Sequence, residues 1–398
     1  MTVVRVLSYT TLYPDSTRPR HGIFVENRLR HLKASGEVDL RVIAPVPWFP
    51  STNPRFGEYA AFARVPEVEE WHEIRVTHPR HPLLPKIGMS VAPALMAAWT
   101  LPAVRRVMNE GYEFDILDAH YFYPDGIAAM MIGRILRKPV VITARGTDLN
   151  LISRFRLPRS MIRWAAGHAD GLITVCETLK KVLIDLGVPS ERIHVLRNGV
   201  DLSMFMPPLD RRALRQALDV QGPVLFSVGH LVDLKGHDLA IRAAHRLPDA
   251  QLLIAGAGKK ESSLRRLVSD LSMSGRVRFL GEIPHAELPR YYGAADALVL
   301  ASSREGWPNV LLEAMACGTP VVATPVGGVP EIVSGAEAGV ITSERSVPAI
   351  VSALNTLFSN YPNRHATRRH AEHFSWETTT MGQLQLFSDI VQKGLRNA

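Results

Sequence analysis

Short apolar runs rich in β-branched residues recur along this chain, separated by helical patterns, and that rhythm limits the fold more than any other feature. VVRVL, DLRVIAPV, FDILDAH, PVVITAR, GLITV and IHVL fill the first half. Apolar runs without polar alternation mark strands buried on both faces, and strands that alternate with helices are parallel. The segment LRNGVDLSMFMPPLD, residues 196 to 210, then brings Asn-Gly and a double proline, the strongest break in the chain. A second series follows, PVLFSVG, AQLLIAG, VRFLG, ALVLAS, PVVAT and AGVIT, alternating with helical stretches such as HDLAIRAAHRL and KKESSLRRLVSDL. The expected architecture is α/β, two Rossmann-like doubly wound domains facing across a cleft. Residues 1–200 form the first domain and 201–375 the second, and a terminal helix, 376–398, returns toward the first. A length of 398 residues agrees with two cores, since one core rarely serves more than about 250 to 300 residues.

Composition narrows the class. Apolar residues make up 46% and charged residues 21%, too apolar for a disordered chain. Lysine and arginine exceed aspartate and glutamate by 46 − 38 = 8, which suits an anionic partner such as nucleic acid, anionic lipid or a phosphorylated substrate. Cys176 and Cys317 lie far apart without metal-ligand spacing, so they read as reduced, buried thiols of a cytosolic enzyme. The N-terminus, MTVVRVLSYTTLYP, has one basic residue and no small-residue cleavage site, unlike a secretory signal. IGMSVAPALMAAWTLPAV, residues 87 to 104, is uncharged. Pro93, Pro102 and Gly88 favour a buried helical pair there over an interfacial segment or a membrane span.

The stretch REGWPNVLLEAMACGTPVV, residues 304 to 322, carries the clearest chemistry. Glu305 to Asn309 is the loop at a strand's carboxyl end. Gly306 permits close backbone approach to a ligand, and Pro308 fits the first helical position. The amides of that first turn favour a phosphate. Glu305 and Glu313 then lie on either side of it, as acceptors for hydroxyl groups. In SVGHLVDLKGHDLAI, residues 227 to 241, a strand ends at Gly229 and Lys235 precedes a helix, where it can offset phosphate charge; His230 stands beside it.

Those two loops, continued by AMACGTPVVAT and GGVPEIV, resemble the retaining glycosyltransferases of family 4, of GT-B fold, among them enzymes of bacterial surface-polysaccharide assembly. The likeness runs through RPRHGIFVENRL with Gly22, DAHYFYPDG with His120, TARGTD with Gly146, NGVD at 198 to 201, FLGEIP and the terminal SWE. It implies that Glu313 holds the ribose of a nucleotide-sugar, that Glu305 holds the sugar, and that Lys235 contacts the diphosphate. Gly306, Trp307, Pro308, Asn309 and Val310 surround phosphate and sugar through their backbone, and Ile283 receives the base. Many relatives have arginine where this chain has His230, and histidine where it has Arg145. A histidine is only partly cationic near neutral pH, so Arg145 either supplies positive charge from the first domain or forms a structural ion pair there.

The resemblance further implies transfer of a hexose-type sugar from a UDP- or GDP-sugar to a lipid-linked or polysaccharide hydroxyl, with retention, by front-face attack in which the leaving phosphate takes the acceptor proton. His120 positions that hydroxyl or relays a proton. The loop before Gly22, with Arg18, Arg20 and His21, either meets a phosphorylated acceptor or is a solvated basic loop. No Asp-x-Asp occurs, so neither a metal nor another cofactor is expected beyond the nucleotide-sugar co-substrate. The expected setting is cytoplasmic, with peripheral contact to an anionic membrane left open. Two rivals stand beside this reading. One is a non-catalytic nucleotide-sugar-binding homologue. The other is a basic nucleic-acid-binding protein, though no interleaved basic and aromatic motif supports it. A dinucleotide fold fails because AGAGKK has Glu261 where the third glycine belongs.

Overall fold

Both series form parallel sheets in the computed structural model, which describes residues 3–83 and 88–396. The first sheet has eight strands: β1 (Val4–Tyr9), β2 (Val38–Ile43), β3 (Val68–Trp71), β4 (Ile74–Thr77), β5 (Ile116–His120), β6 (Val140–Ala144), β7 (Gly171–Thr174) and β8 (Ile193–Val195). Their spatial order is β8-β7-β6-β5-β1-β2-β4-β3. All pairs are parallel except β3 with β4. The order reverses beside β1, whose Val6 pairs with Ile116 of β5 on one side and Leu40 of β2 on the other.

The second sheet has six strands, β9 (Val224–Val228), β10 (Gln251–Ala255), β11 (Val277–Gly281), β12 (Ala297–Leu300), β13 (Val321–Ala323) and β14 (Gly339–Ile341). Their order is β11-β10-β9-β12-β13-β14, all parallel, and it reverses between β9 and β12. Where strand order reverses, the two following loops leave on opposite faces and open a crevice at the carboxyl ends. Each sheet therefore has one such place.

The chain divides into two compact units, Met1–Asn198 with Trp376–Ala398, and Gly199–Ser375. The last helix, Trp376–Arg396, belongs to the first unit because its apolar side completes that core. Phe387 and Leu386 are buried there with Val6, Ile116, Val141 and Ile173. Its Gln383, fully buried, donates to Asp118 Oδ2 at 3.0 Å and accepts from Arg28 Nε at 2.8 Å.

Two local outcomes differ from the sequence reading. Of residues 87 to 104, Ile87 lies outside the described residues, and the rest belongs to one helix, Gly88–Asn109, rather than a helical pair. Pro93 and Pro102 both sit inside it. A proline removes one backbone donor and crowds the preceding turn, yet Met96, Thr100, Val104 and Val107 remain buried along one side and hold the helix to the unit. No helix among the described residues is long and apolar enough to cross a membrane. The hairpin β3–β4 was also absent from the sequence reading, because VEEWHEIRVT carries charge on an edge strand. Its turn residues His72 and Glu73 both have positive φ, 47° and 62°, as a two-residue hairpin turn requires.

Replacing Phe387 by alanine is expected to cost the first unit about 3–5 kcal/mol. Hydrogen exchange should speed up in β1 and β5 and stay unchanged in β9 and β12. Uniform protection in all four strands would show that the last helix does not belong to that core.

Candidate functional site

In the second unit, the reversal between β9 and β12 brings together loops that are 70 residues apart in sequence. Lys235 Nζ lies 2.6 Å from Glu305 Oε1, and Ser302 Oγ donates to the same oxygen at 2.6 Å. Both charged groups are mostly shielded, with side-chain exposures of 23% and 11%. Hydrogen bonds between ionised partners are short and roughly twice as strong as neutral ones. His230 is exposed in the turn between β9 and Lys235.

The loop carrying Glu305 is held from below. Gly327, at φ +55°, passes so close that a Cβ there would stand 2.2 Å from the Glu305 carbonyl oxygen. Gly328 N donates to Gly306 O at 2.8 Å. Trp307 is buried, its ring 5.9 Å from that of Phe374. Its indole therefore anchors the loop, and only its backbone is left for a ligand. The helix after it is Asn309–Ala316, with Pro308 at the N-cap instead of the first helical position. Leu311 N bonds to Pro308 O at 3.1 Å, and Gly306, Asn309 and Val310 are half-buried.

Glu313 is 8% exposed, one turn into that helix. His285 Nε2 lies 3.0 Å from Oε1, and the Tyr292 hydroxyl donates to Oε2 at 2.8 Å. A carboxylate only accepts, so His285 carries its proton on Nε2. Each Glu313 oxygen keeps a further lone-pair direction for a ligand hydroxyl. Burial, then the Glu313 charge, push Tyr292 well above the usual phenol range, so it stays a donor. Burial likewise raises the Cys317 thiol to about 12, which keeps it inert. Ile283 is half-buried, two residues before His285, on the loop after β11. The sequence reading missed His285 and Tyr292, because nothing local to either residue names Glu313 as its partner. Their only signal is position: both follow the strand that borders β10.

The first unit has its own cluster at carboxyl ends. His120 ends β5 fully buried, its Nδ1 2.6 Å from Arg145 Nη2 and its Nε2 3.1 Å from Asp118 Oδ2. A guanidinium cannot accept, so Nδ1 is the acceptor and the proton sits on Nε2. Burial pushes this imidazole down to about 4; Asp118 opposes that shift and Arg145 adds to it. His120 is thus neutral in the folded protein. Arg145, 7% exposed, also donates to Asn198 Oδ1 at 3.0 Å. Two of its donors are committed within the first unit, an arrangement that steadies His120 rather than one that offers charge outward.

Gly22 caps the helix Ile23–Ala34 at φ +68°, where a Cβ would meet the Leu12 carbonyl carbon at 2.2 Å. The basic loop before it is less charged than its composition implies. Arg18 grips Asp15 Oδ2 through Nε at 3.0 Å and Nη2 at 2.6 Å. His21 Nε2 bonds to Thr11 O at 2.9 Å, and burial, then the Arg18 charge, lower its pKa. Arg20 is exposed. The pairing of Arg18 and the burial of His21 weaken the expectation of a phosphate site on this loop.

Asp125, fully buried, was not singled out from the sequence. It accepts from the Thr11 backbone amide and, at 3.1 Å, from the Thr11 hydroxyl. It ties the loop after β1 to the segment after β5. Burial, against those two bonds, raises it to about 7. Asp148, also buried, accepts from the amides of Phe122 and Gly146 at 2.7 Å each. Among the described residues no group of three or more His, Cys, Asp or Glu side chains could hold a metal ion.

With this geometry in place, two family models account for most of the chain. Residues 22–204 match Glycosyltransferase Family 4, and residues 210–374 match Glycosyl transferases group 1. The chain belongs to these glycosyltransferase families. D-inositol 3-phosphate glycosyltransferase of Mycobacterium tuberculosis is 37% identical over 227 residues, covering 54% of this chain and 47% of that protein. The match therefore spans about half the length of these curated relatives. Among solved structures, sucrose-phosphate synthase from Thermosynechococcus elongatus superposes with a TM-score of 0.77 at 20% identity, over 98% of this chain and 99% of that one. Anabaena HepE in complex with UDP gives 0.74 at 20%, over 98% and 100%. At that identity the likeness shows the fold, which is GT-B.

The raised Asp125 carboxyl has a testable sign. Its stabilising contribution is complete below the unfolded value near 3.8 and is lost as pH rises through about 7. Asp125→Asn lacks that loss. Its stability relative to the parent should climb between about pH 4 and pH 7 and level off above, in urea unfolding followed across pH. A pH-independent difference would show that Asp125 is ionised throughout.

Proposed function

We propose that this chain transfers a hexose-type sugar from a nucleoside diphosphate donor, UDP- or GDP-linked, to a hydroxyl of a lipid-linked or glycan acceptor, with retention of configuration. The observation that carries the reading is the Lys235–Glu305 contact, 2.6 Å, at the strand reversal of the second unit. A lysine paired to a carboxylate at this place is a cation already held in position. An incoming diphosphate competes for it, and Glu305 is released toward the sugar hydroxyls. Glu313, oriented by His285 and Tyr292, takes the ribose. Backbone from Gly306 to Val310, half-buried at Gly306, Asn309 and Val310, is assigned to the phosphates, next to a helix N-terminus whose dipole favours anions. His230, in the turn after β9, and Ile283, on the loop after β11, are assigned to the same donor site.

In the reaction, the bond between the anomeric carbon and the β-phosphate oxygen breaks. The acceptor oxygen bonds to that carbon on the same face, and its proton passes to the departing phosphate. Negative charge grows on the phosphate, and Lys235 with the helix amides stabilises it. No side-chain nucleophile is used. His120, neutral and clamped by Arg145, supports the acceptor side by position, not by proton transfer. Bacterial surface-polysaccharide synthesis and peripheral contact with an anionic membrane belong to the same reading, supported by the net charge of +8.

Variants separate the roles. Glu313→Ala should weaken UDP binding by about 10- to 100-fold, the loss of one or two hydrogen bonds to a charged group. Glu305→Ala should hold UDP affinity within a few fold and lower transfer by about 100-fold. Calorimetry with UDP and a transfer assay over UDP- and GDP-sugars read the two effects. Unchanged turnover in Glu305→Ala would remove the donor-site assignment. Donor binding without transfer to any acceptor would favour the non-catalytic homologue. Steep salt-dependent DNA binding without nucleotide-sugar binding would favour the nucleic-acid rival.

A further inference from the structure

Beside the loop after β1, the first unit has a half-open cavity of about 450 Å³. That falls within the size range of small-molecule sites. Its lining includes Leu12, Pro45, Phe62, Ala92, Leu95 and Met96, with Thr11, Arg18 and His21 as polar members, the Arg18 guanidinium lying 4.8 Å over the Phe62 ring. Arg18 and His21 belong to the loop on which sequence reasoning expected a phosphate, but their charges are already spent. Arg18 is held in two bonds by Asp15, and the His21 ring is turned onto the Thr11 carbonyl. Burial and the Arg18 charge lower the His21 pKa, and burial lowers that of His81, which also lines the cavity, so neither adds a cation near neutral pH. Glu58, the remaining charge on the lining, is exposed to solvent.

An aromatic row leads to this cavity from outside. The rings of Phe56 and Phe49 are 5.3 Å apart, those of Phe49 and Tyr59 5.3 Å, and those of Tyr59 and Phe62 6.1 Å. Phe56 and Tyr59 are 37% and 48% exposed. Phe49 and Phe62 are half-buried, so the row presents a partly exposed aromatic surface beside the cavity. Phe62 joins the row to the cavity lining, which also includes Thr11, just past the carboxyl end of β1.

We infer that this cavity binds the uncharged hydrocarbon part of an amphiphilic acceptor, an alkyl or prenyl chain, with the hydroxyl-bearing head toward Thr11 and His21. The inference rests on the transferase reading for the word acceptor, but the site itself does not depend on the donor residues. A phosphorylated polyol would bring two negative charges to a wall of carbon and to an arginine already neutralised, at the desolvation cost of an unpaired buried charge. A hydrocarbon chain removes only apolar surface from water, at about 25 cal/mol per Å².

Calorimetry on the full chain tests it with n-octyl β-D-glucopyranoside below its micellar concentration and methyl β-D-glucopyranoside as the chain-free control. The octyl glycoside should bind at least tenfold more tightly than the methyl glycoside, and inorganic phosphate should not displace it. Ala92→Phe, which fills the cavity, and Leu95→Gln, which makes it polar, should each weaken octyl binding tenfold or more and leave UDP affinity unchanged. Equal binding of the two glycosides to the parent chain, or displacement by phosphate, would overturn the inference, as would full octyl binding in either variant. Octyl binding in a chain that binds no nucleotide would leave the cavity assignment standing and remove the transferase reading instead.

Discussion

A parallel sheet covered by helices on both faces leaves few places for a polar ligand, and the reversal of strand order supplies them. Beside β1 in the first unit and between β9 and β12 in the second, consecutive loops part to opposite faces of the sheet. Backbone at the carboxyl ends is left without a covering helix. Lys235 and Glu305 meet there because β9 and β12 are neighbours, although 70 residues separate them in the chain. The first unit assembles its cluster by the same rule. Thr11 follows β1, His120 and Asp125 follow or end β5, and Arg145 follows β6.

Such sites put polar groups in poorly hydrated places, and the chain gives the principal ones specific partners. Glu313 receives one donor on each oxygen, His285 and Tyr292. Asp118 receives Gln383 from the last helix and faces His120, which in turn accepts from Arg145. A buried carboxylate left unpartnered costs several kcal/mol. These partners therefore fix side-chain positions as well as stability. That is why the last helix, far from His120 in sequence, bears on its setting: Gln383 and Asp118 are 265 residues apart. The contrast with Lys235 and Glu305 is informative: each is the other's partner, so a ligand that engages both needs no buried charge to be left alone.

Much of this was legible in the sequence, and the limits have physical causes. The twelve apolar runs named there all became parallel strands, because a strand buried on both faces has no room for polar alternation. The hairpin Val68–Trp71 with Ile74–Thr77 was invisible because an edge strand tolerates charge. Pro308 fell one residue outside its helix, an offset within the uncertainty of any helix end. The helix Gly88–Asn109 swallowed two prolines because its buried side chains outweigh the lost backbone bonds. Charge was the harder matter. Arg18 and His21 read as a basic loop, but an aspartate three residues before Arg18 neutralises it, and burial discharges His21. Sequence gives formal charge; only packing gives the charge a ligand would meet.

The central claim is that a nucleoside diphosphate sugar displaces the Lys235–Glu305 contact and takes both partners. A crystal structure of the chain soaked with UDP- or GDP-sugar tests this most directly. The account predicts a phosphate oxygen within hydrogen-bond distance of Lys235 Nζ, sugar hydroxyls on Glu305 and ribose hydroxyls on Glu313. A bound nucleotide-sugar that leaves the Lys235–Glu305 pair intact at 2.6 Å, with its ribose away from Glu313, would contradict it.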